Sequence, residues 1–472
     1  MTLVSYTEIS KFLPVEAAIR YNSVPFKMED RKLTLLTDST QYREDLANEL
    51  EIITGFEIEL VREEPKIIAD LLKKLYRSTG QSQVESKPTG IHRDDFLIKI
   101  IYEALELKSS DIHIEAYSEK CRIRFRIDGK LLERYHVPKD DYSAFINRIK
   151  IKAKLDIAEK RLPQDGRILH IDENTRIDIR VSALPTLYGE KVVLRLLKND
   201  ASHIDLRYLG LDAEQLTAFE GILKNPHGII LISGPTGSGK TTTLYATLKV
   251  LNKEDNNILT IEDPIEYTLE GVNQVQLREN IGLDFASALR TFLRQDPDII
   301  MLGEIRDGGT AQMAIRAALT GHLVLSTIHT NSAWGTISRL SDMGIPPFLL
   351  ASTINMTIAQ RLVRKLCSVC KTTSKGGGGN YLDTLTDLER MSDYYIPVGC
   401  ASCYFTGYSG RIAIYEVVPI EAELASAIRN NLPEIDEYLK KRHISTLKGK
   451  AIDLLRSGET SVEEVYPILL NH

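Results

Sequence analysis

Eight consecutive residues, Gly234-Pro235-Thr236-Gly237-Ser238-Gly239-Lys240-Thr241, fit the pattern G-x-x-x-x-G-K-[ST]. A phosphate chain needs many donors at short range. Glycines let the backbone wrap without Cβ clashes so that its N–H groups point inward, and the start of a following helix adds partial positive charge. Lys240 is suited to neutralise the β- and γ-phosphates of ATP, and the Thr241 hydroxyl to ligate Mg2+. Both flanks that the motif requires are present: an apolar strand-like run, Ile229 to Ser233, before it, and a helix opened by Thr242-Thr243-Leu244 after it.

A phosphate loop alone does not say whether the γ-phosphoryl passes to water or to another acceptor; carboxylates decide that. Two acidic clusters close strand-like runs: Glu262-Asp263-Pro264-Ile265-Glu266, and Gly303-Glu304 after Ile299-Ile300-Met301-Leu302. The second resembles a Walker B strand, but Gly303 stands where the metal-associated aspartate usually is. Glu304 is then expected to polarise or orient the attacking water. Glu262 and Asp263 are expected to act through the metal shell or as a second water-orienting group. His322 and His329 flank the run Leu323 to Thr327, with Thr327 and Thr330 near the second, an arrangement that suggests a sensor of the γ-phosphate. Seven residues of strand span about 20 Å, which disfavours a shared metal.

Four of the five cysteines form two Cys-x-x-Cys pairs, Cys367-Ser368-Val369-Cys370 and Cys400-Ala401-Ser402-Cys403. Four thiolates at such spacing close a tetrahedral Zn2+ site with no open position, which implies a structural zinc ion and not a catalytic one. A redox pair or unliganded thiols are the alternatives. Between the pairs, Lys375-Gly376-Gly377-Gly378-Gly379-Asn380 is a tract that cannot pack and that metal binding does not need. Few aromatic or clustered basic residues lie there, which favours protein contact or local stiffening over nucleic acid.

These side chains need elements to hold them. Ile67, Ile68, Leu71, Leu72 and Leu75 recur at helical spacing and close a small α/β module, and Ser78 to Pro88 has almost nothing to bury and reads as a linker. A helix from Asp94 leads into Asp111 to Glu115 and then Cys121 to Ile127, where apolar residues alternate with Arg122, Arg124 and Arg126 before Asp128-Gly129, the signature of a hairpin. Further alternating segments at Arg167 to Ile171, Arg176 to Val181 and Lys191 to Leu197 complete a second α+β domain with arginine-rich strands, which on their own read as ordinary solvated faces. From about Leu206 to Gln360 apolar strands (Ile229 to Ser233, Ile258 to Glu262, Ile299 to Leu302, Leu323 to Thr327) alternate with helices. That alternation argues for a mostly parallel sheet covered on both faces, with ligands at the carboxyl ends of its strands, where the polar motifs fall.

A chain of 472 residues is long enough for about three domains. With 59 basic and 65 acidic residues its net charge is -6, so no global positive field holds nucleic acid or an anionic membrane. The 43% hydrophobic and 26% charged content excludes disorder, collagen and disulfide scaffolds. No run of 18 apolar residues and no signal-peptide pattern at the start point to a cytoplasmic protein that reaches a membrane only through partners.

The ordered set of Gly234 to Thr241, Glu262 to Glu266, Gln295 to Asp307, Thr320-Gly321-His322 to His329-Thr330-Asn331 and the two cysteine pairs closely resembles the bacterial type II secretion and type IV pilus assembly ATPases. In that family these segments are the Walker A motif, Asp box, Walker B motif and His box, and the missing Walker B aspartate is a family trait. The resemblance runs from about Ser110 to Tyr415. It implies a RecA-like P-loop motor, preceded by α+β domains, in a homo-hexameric ring. It further implies that Arg180 and Arg195 reach the nucleotide's phosphates from the smaller domain, and that Arg290, Arg294, Arg306 and Arg339 lie at subunit or domain contacts. The expected pieces are a partner-binding module (1–78), a linker (79–93), a second α+β domain (94–204), the ATPase domain (205–360), a zinc segment (361–415) and carboxy-terminal helices (416–472). The expected function is Mg-ATP hydrolysis that powers pseudopilus assembly and protein export, through the cytoplasmic domain of an inner-membrane platform component. A pilus extension ATPase is the nearest alternative, and a nucleic-acid motor with a zinc ribbon a remoter one. Retraction-type relatives generally lack the cysteine segment.

Overall fold

The computed structural model describes residues 12–13, 17–18, 21–29, 32–39, 42–43, 45–65, 67–68, 71–72, 94–172, 175–197, 205–375, 393–432 and 434–470. The linker expected at Ser78 to Pro88 and the tract Gly376 to Asn380 lie outside them. The chain forms two units, one built mainly from residues up to Leu169 with Ile179–Leu196, the other mainly from Leu197–Pro397 and Tyr408–His472.

The first unit holds two sheets. In the smaller, β1 (Ser23–Glu29) pairs antiparallel with β2 (Lys32–Asp38), and β2 pairs parallel with β3 (Glu57–Glu63) through the crossover helix α1 (Leu46–Thr54). Leu33, Leu35, Leu46 and Leu50 fill its core. The larger sheet has the order β6-β5-β4-β9-β8-β7. Its strands are β4 (Asp111–Ala116), β5 (Cys121–Ile127), β6 (Lys130–Val137), β7 (Gln164–Asp172), β8 (Thr175–Thr186) and β9 (Gly189–Leu197), with helices α2 (Asp94–Glu106) and α3 (Lys139–Lys152). The β5–β6 turn takes positive φ at both Asp128 (46°) and Gly129 (85°), as a two-residue hairpin demands. Strand alternation buries Cys121, Ile123 and Phe125 and places Arg122, Arg124 and Arg126 on the other face. There they meet acids: Glu115 accepts from Arg124 at 2.8 Å and from Arg122 at 3.2 Å. Burial would raise the Glu115 carboxyl, but Arg124 and Lys191 bring it down to about 2.

The second unit is wound around a seven-stranded sheet of order β12-β11-β13-β14-β10-β15-β18. Its strands are β10 (Gly228–Ser233), β11 (Ile258–Glu262), β12 (Asn273–Gln276), β13 (Ile299–Leu302), β14 (Leu323–Ile328), β15 (Ile354–Leu366) and β18 (Tyr408–Pro419). Every residue of β10, β11, β13 and β14 is buried, as expected of strands covered on both faces. The pairings are parallel except β15 with β18. Helices α4 (Ala213–Ile222), α5 (Lys240–Leu251), α6 (Phe285–Phe292), α7 (Gly308–Leu319), α8 (Gly335–Asp342) and α9 (Pro347–Thr353) connect or flank them.

Two limits expected from sequence need correction. β15 runs through Gln360 and β18 through Tyr415, because the two strands form one antiparallel ribbon in the motor sheet, from Met356↔Pro419 to Leu366↔Tyr408. The cysteine segment, with the short hairpin β16 (Thr372–Lys375) and β17 (Asp393–Ile396), is therefore an insertion at the tip of that ribbon. Likewise α10 (Ala422–Arg429), α11 (Asp436–Lys441), α12 (Leu447–Arg456) and α13 (Val462–Leu470) share a core with β10 and β11, where Leu424, Leu447 and Val465 pack in one cluster with Ile229 and Ile261. They complete the motor domain. Among the described residues no helix is long and apolar enough to cross a membrane.

Candidate active site

The loop after β10 is shaped by its glycines. Gly234 has φ +151°, and a Cβ there would lie 2.5 Å from the Gln360 carbonyl and 2.6 Å from Ser238 Oγ. Gly239, at φ +89°, is the residue from which α5 starts, so the helix opens with free backbone N–H groups directed at the loop. Lys240 Nζ folds over this loop and donates to the carbonyls of Gly234 (2.8 Å) and Pro235 (3.1 Å). Ser238 Oγ is buried without a hydrogen-bond partner. A helix amino terminus beside the loop, a lysine with only carbonyls to bind and an orphaned hydroxyl fit a phosphate chain. Thr241 is exposed at the first turn of α5, open to a metal beside the phosphates. Burial pulls the Lys240 pKa down; the Glu304 carboxylate acts against this and the Arg361 charge with it.

Register places the remaining groups. Because β10 and β14 are parallel, Ser233 pairs with Ile328 at the phosphate-loop end and Gly228 with Leu323 at the other. His329 therefore follows β14 into the site. Its Nε2 lies 3.4 Å from Glu304 Oε2, while Arg306 grips Oε1 of the same carboxylate and lies 3.9 Å from Asp263. Burial alone would raise the Glu304 carboxyl, yet Arg306 and His329 hold it below the ordinary range, so it is ionised at neutral pH. Thr327 fixes the backbone on both sides of Glu304: its Oγ1 donates to the Gly303 carbonyl (2.8 Å), and its carbonyl accepts from Ile305 N (2.8 Å). A side chain at Gly303 would meet the β11 backbone at 3.3 Å, a tight slot for the usual aspartate.

Two of the expected site residues are engaged with other partners. His322 stands at the amino end of β14, the length of that strand away from the phosphate-loop end. Its Nδ1 lies 2.8 Å from the Ala317 carbonyl and 3.1 Å from Thr320 Oγ1, so it closes the end of α7 and cannot read a γ-phosphate held in this loop. Glu262 shares a strand face with Thr260, turned away from solvent, and is 2% exposed. Its carboxylate takes Tyr245 Oη, Thr260 Oγ1 (2.6 Å) and Gln274 Nε2 (3.0 Å), a buried network that uses three of its about four acceptor sites. Asp263, one residue on, stays near Arg306 and half-open.

The other arginines are dispersed. Arg290 is exposed on α6 and Arg294 is exposed just beyond its end, where it donates back to the Arg290 carbonyl, and Arg339 is exposed on α8. Arg180 and Arg195 belong to the first unit, on β8 and β9, with Arg195 paired to Asp111 at 2.9 Å. Arg361 was not singled out by sequence, although the polar pair Gln360-Arg361 interrupting an apolar run was a visible signal. It lies against the phosphate loop, 3.3 Å from where a Gly234 Cβ would be.

The cysteines converge. Sγ atoms of Cys367, Cys370, Cys400 and Cys403 all lie within 4.8 Å of one another, with Cys400 and Cys403 3.8 Å apart. A tetrahedral zinc with bonds of about 2.3 Å needs sulfurs about 3.8 Å apart, so the set fits that ion. Backbone N–H groups of Cys400 (3.1 Å) and Gly407 (3.3 Å) point at Cys403 Sγ, stabilising a thiolate there.

A family model described as "Type II/IV secretion system protein" matches residues 91–467. The type II secretion system protein E of Pectobacterium carotovorum subsp. carotovorum is 48% identical over 373 residues, covering 78% of this chain and 73% of that protein. The type IV pilus assembly ATPase PilB of Myxococcus xanthus (strain DK1622) is 40% identical over 489 residues, covering 97% and 86%. Among solved structures, the pilus retraction motor PilT with bound ADP matches with TM-score 0.53 at 27% identity, over 79% of this chain and 96% of that one. The Legionella pneumophila ATPase DotB matches in fold, with TM-score 0.59 at 21% identity over 84% and 98%. The chain thus belongs to the type II/IV secretion system protein family, and it is a P-loop ATPase of secretion or pilus assembly.

Proposed function

We propose that this protein is the cytoplasmic motor of a type II secretion system: a homo-hexamer that hydrolyses Mg-ATP to drive pseudopilus assembly and protein export, docked on the cytoplasmic domain of an inner-membrane platform component. The observation that carries the reading is the gathering of Lys240, Glu304, Arg306 and His329 at the carboxyl ends of β10, β13 and β14, in a chain 48% identical to a type II secretion system protein E. In this reading residues 234–241 hold the triphosphate, and Thr241 ligates magnesium, with Asp263 acting through its water shell. The ion neutralises phosphate charge. Glu304 orients the attacking water, and His329 senses whether the γ-phosphate is present. Arg180 and Arg195 keep, from the family pattern alone, their assignment to phosphate charge. Cys367, Cys370, Cys400 and Cys403 hold a structural zinc that stiffens the tip of the β15–β18 ribbon.

A pilus extension motor is the second reading, favoured by the 97% span of the match to PilB. Deleting the gene and complementing it with the wild type or with Glu304→Gln separates the two. Export lost with surface pili intact supports the secretion motor; pili lost with export intact overturns it in favour of the second reading.

A further inference from the structure

The loop that carries His329 is held by two charged residues that no motif contains. Arg361 Nη2 donates to the Asn331 carbonyl at 2.8 Å, and its Nη1 donates to the Gln360 carbonyl at 3.0 Å. The same Gln360 carbonyl and the Arg361 fork line the slot that Gly234 fills. Two residues further along the loop, Ala333 N donates to Glu416 Oε1 at 2.8 Å, while Glu416 Oε2 accepts from Leu447 N at 3.2 Å, at the first turn of α12. Glu416 is 3% exposed. Register explains the partnership: Glu416 lies opposite Ala359 in the β15–β18 ribbon, so Arg361, two residues on, projects from the same face as its diagonal neighbour. The opposite face of the ribbon grips the other side of the site, where Gln360 Oε1 accepts from Thr243 Oγ1 at 2.9 Å, and Tyr415 Oη lies 3.2 Å from that hydroxyl, within α5.

We propose that Arg361 and Glu416 are positioning residues for hydrolysis: together they clamp segment 329–333 to the phosphate loop, so that His329 and Glu304 meet the terminal phosphate in register. Neither needs to touch the nucleotide. The planar guanidinium spans two carbonyls at once, which a lysine ammonium on a flexible stem does poorly. The buried carboxylate fixes the far end of the same segment through a backbone N–H. Loosening the segment leaves the phosphate loop, and hence ATP binding, in place while misplacing the groups that act on the terminal phosphate, where errors near 1 Å cost about 100-fold. The inference rests on ATP hydrolysis at this site, and is independent of which assembly the motor drives.

The test uses the full chain with Arg361→Gln, Arg361→Lys and Glu416→Gln. Three quantities are read: steady-state kcat and KM for ATP, binding of a non-hydrolysable ATP analogue, and amide hydrogen exchange across 329–333. For Arg361→Gln the clamp requires kcat to fall about 10- to 100-fold, with KM and analogue affinity within about 3-fold, and exchange across 329–333 to rise about 10-fold or more. Arg361→Lys recovers part of both losses, and Glu416→Gln shows the same pattern more weakly. If Arg361→Gln does not fold, Arg361→Lys decides instead: the clamp then requires kcat to fall and exchange across 329–333 to rise together, each by a smaller factor, with KM within about 3-fold. Unchanged kcat overturns the clamp, as does a rise in KM with kcat kept, which would make Arg361 a nucleotide ligand. A fall in kcat without faster exchange overturns it too. If the wild type binds the analogue but does not turn over ATP, the assignment of hydrolysis fails, and the exchange measurement still decides the clamp.

Discussion

His322 and His329 cap the same strand, and the two ends of the motor sheet treat them differently. At the amino end, His322 is absorbed into the close of α7, its ring nitrogen spent on the Ala317 carbonyl and the Thr320 hydroxyl. At the carboxyl end, His329 faces a carboxylate shared with Arg306, beside a lysine bound only to loop carbonyls and a serine hydroxyl with no partner. One end satisfies its polar groups from within the chain; the other holds groups whose needs a triphosphate and its metal would meet. A parallel sheet produces this asymmetry directly, since its loops leave from one edge and its helices return to the other. Glu262 and Glu304 repeat the lesson one strand apart. The first is closed by Tyr245, Thr260 and Gln274, while the second remains open to the loop.

The sharpest way to break this contrast is at Glu304. Glu304→Gln should reduce kcat by about 100-fold or more with ATP affinity kept, measured by phosphate release and analogue binding; near-normal turnover would move the water-orienting role to Asp263. His329→Ala should reduce kcat by about 10- to 100-fold, whereas His322→Ala should leave it within about 2-fold. Equal losses from both histidines would erase the difference between the two ends. Glu262→Gln should act on stability instead, lowering it by about 1–3 kcal/mol in denaturant titration because one buried acceptor site becomes a donor facing donors, with kcat within about 3-fold. The smallest effect concerns pH. The folded state depresses the Glu304 pKa below its ordinary 4.5, so the ionised carboxylate's contribution to stability is complete above that value and is lost as pH falls through the depressed one. The stability difference between wild type and Glu304→Gln should therefore be level at neutral pH and narrow below about pH 4.5; a difference that widens on acidification would show that Arg306 and His329 do not hold the carboxylate.

The strands that carry the site were legible because each is a continuous apolar run closed by polar residues. Ile258 to Glu262 and Ile299 to Leu302 coincide with β11 and β13, and Leu323 to Thr327 falls one residue short of β14. The phosphate loop and the cysteine pairs were legible because their chemistry lies in local spacing. The β15–β18 ribbon was not, since Arg361 pairs with Ile414 across the whole cysteine insertion, and pairing at such separation leaves no local period to read. The surroundings of Glu262 were not legible for a related reason. An acid at a strand end looks the same whether its face turns to solvent or, as here, to Tyr245 and Gln274.

What the sequence determined by itself is the chemistry available: a loop whose glycines and lysine suit a phosphate chain, acids and histidines near strand ends, and four thiols at zinc spacing. What only the tertiary structure decided is which of those groups share a space. Parallel pairing put His329 and Glu304 at one edge and His322 at the other, and the β15–β18 ribbon brought Arg361 and Glu416 to a loop from which they are remote in sequence. Local spacing fixes what a side chain can do, but strand direction and register fix where it does it, and those follow from pairings between distant segments.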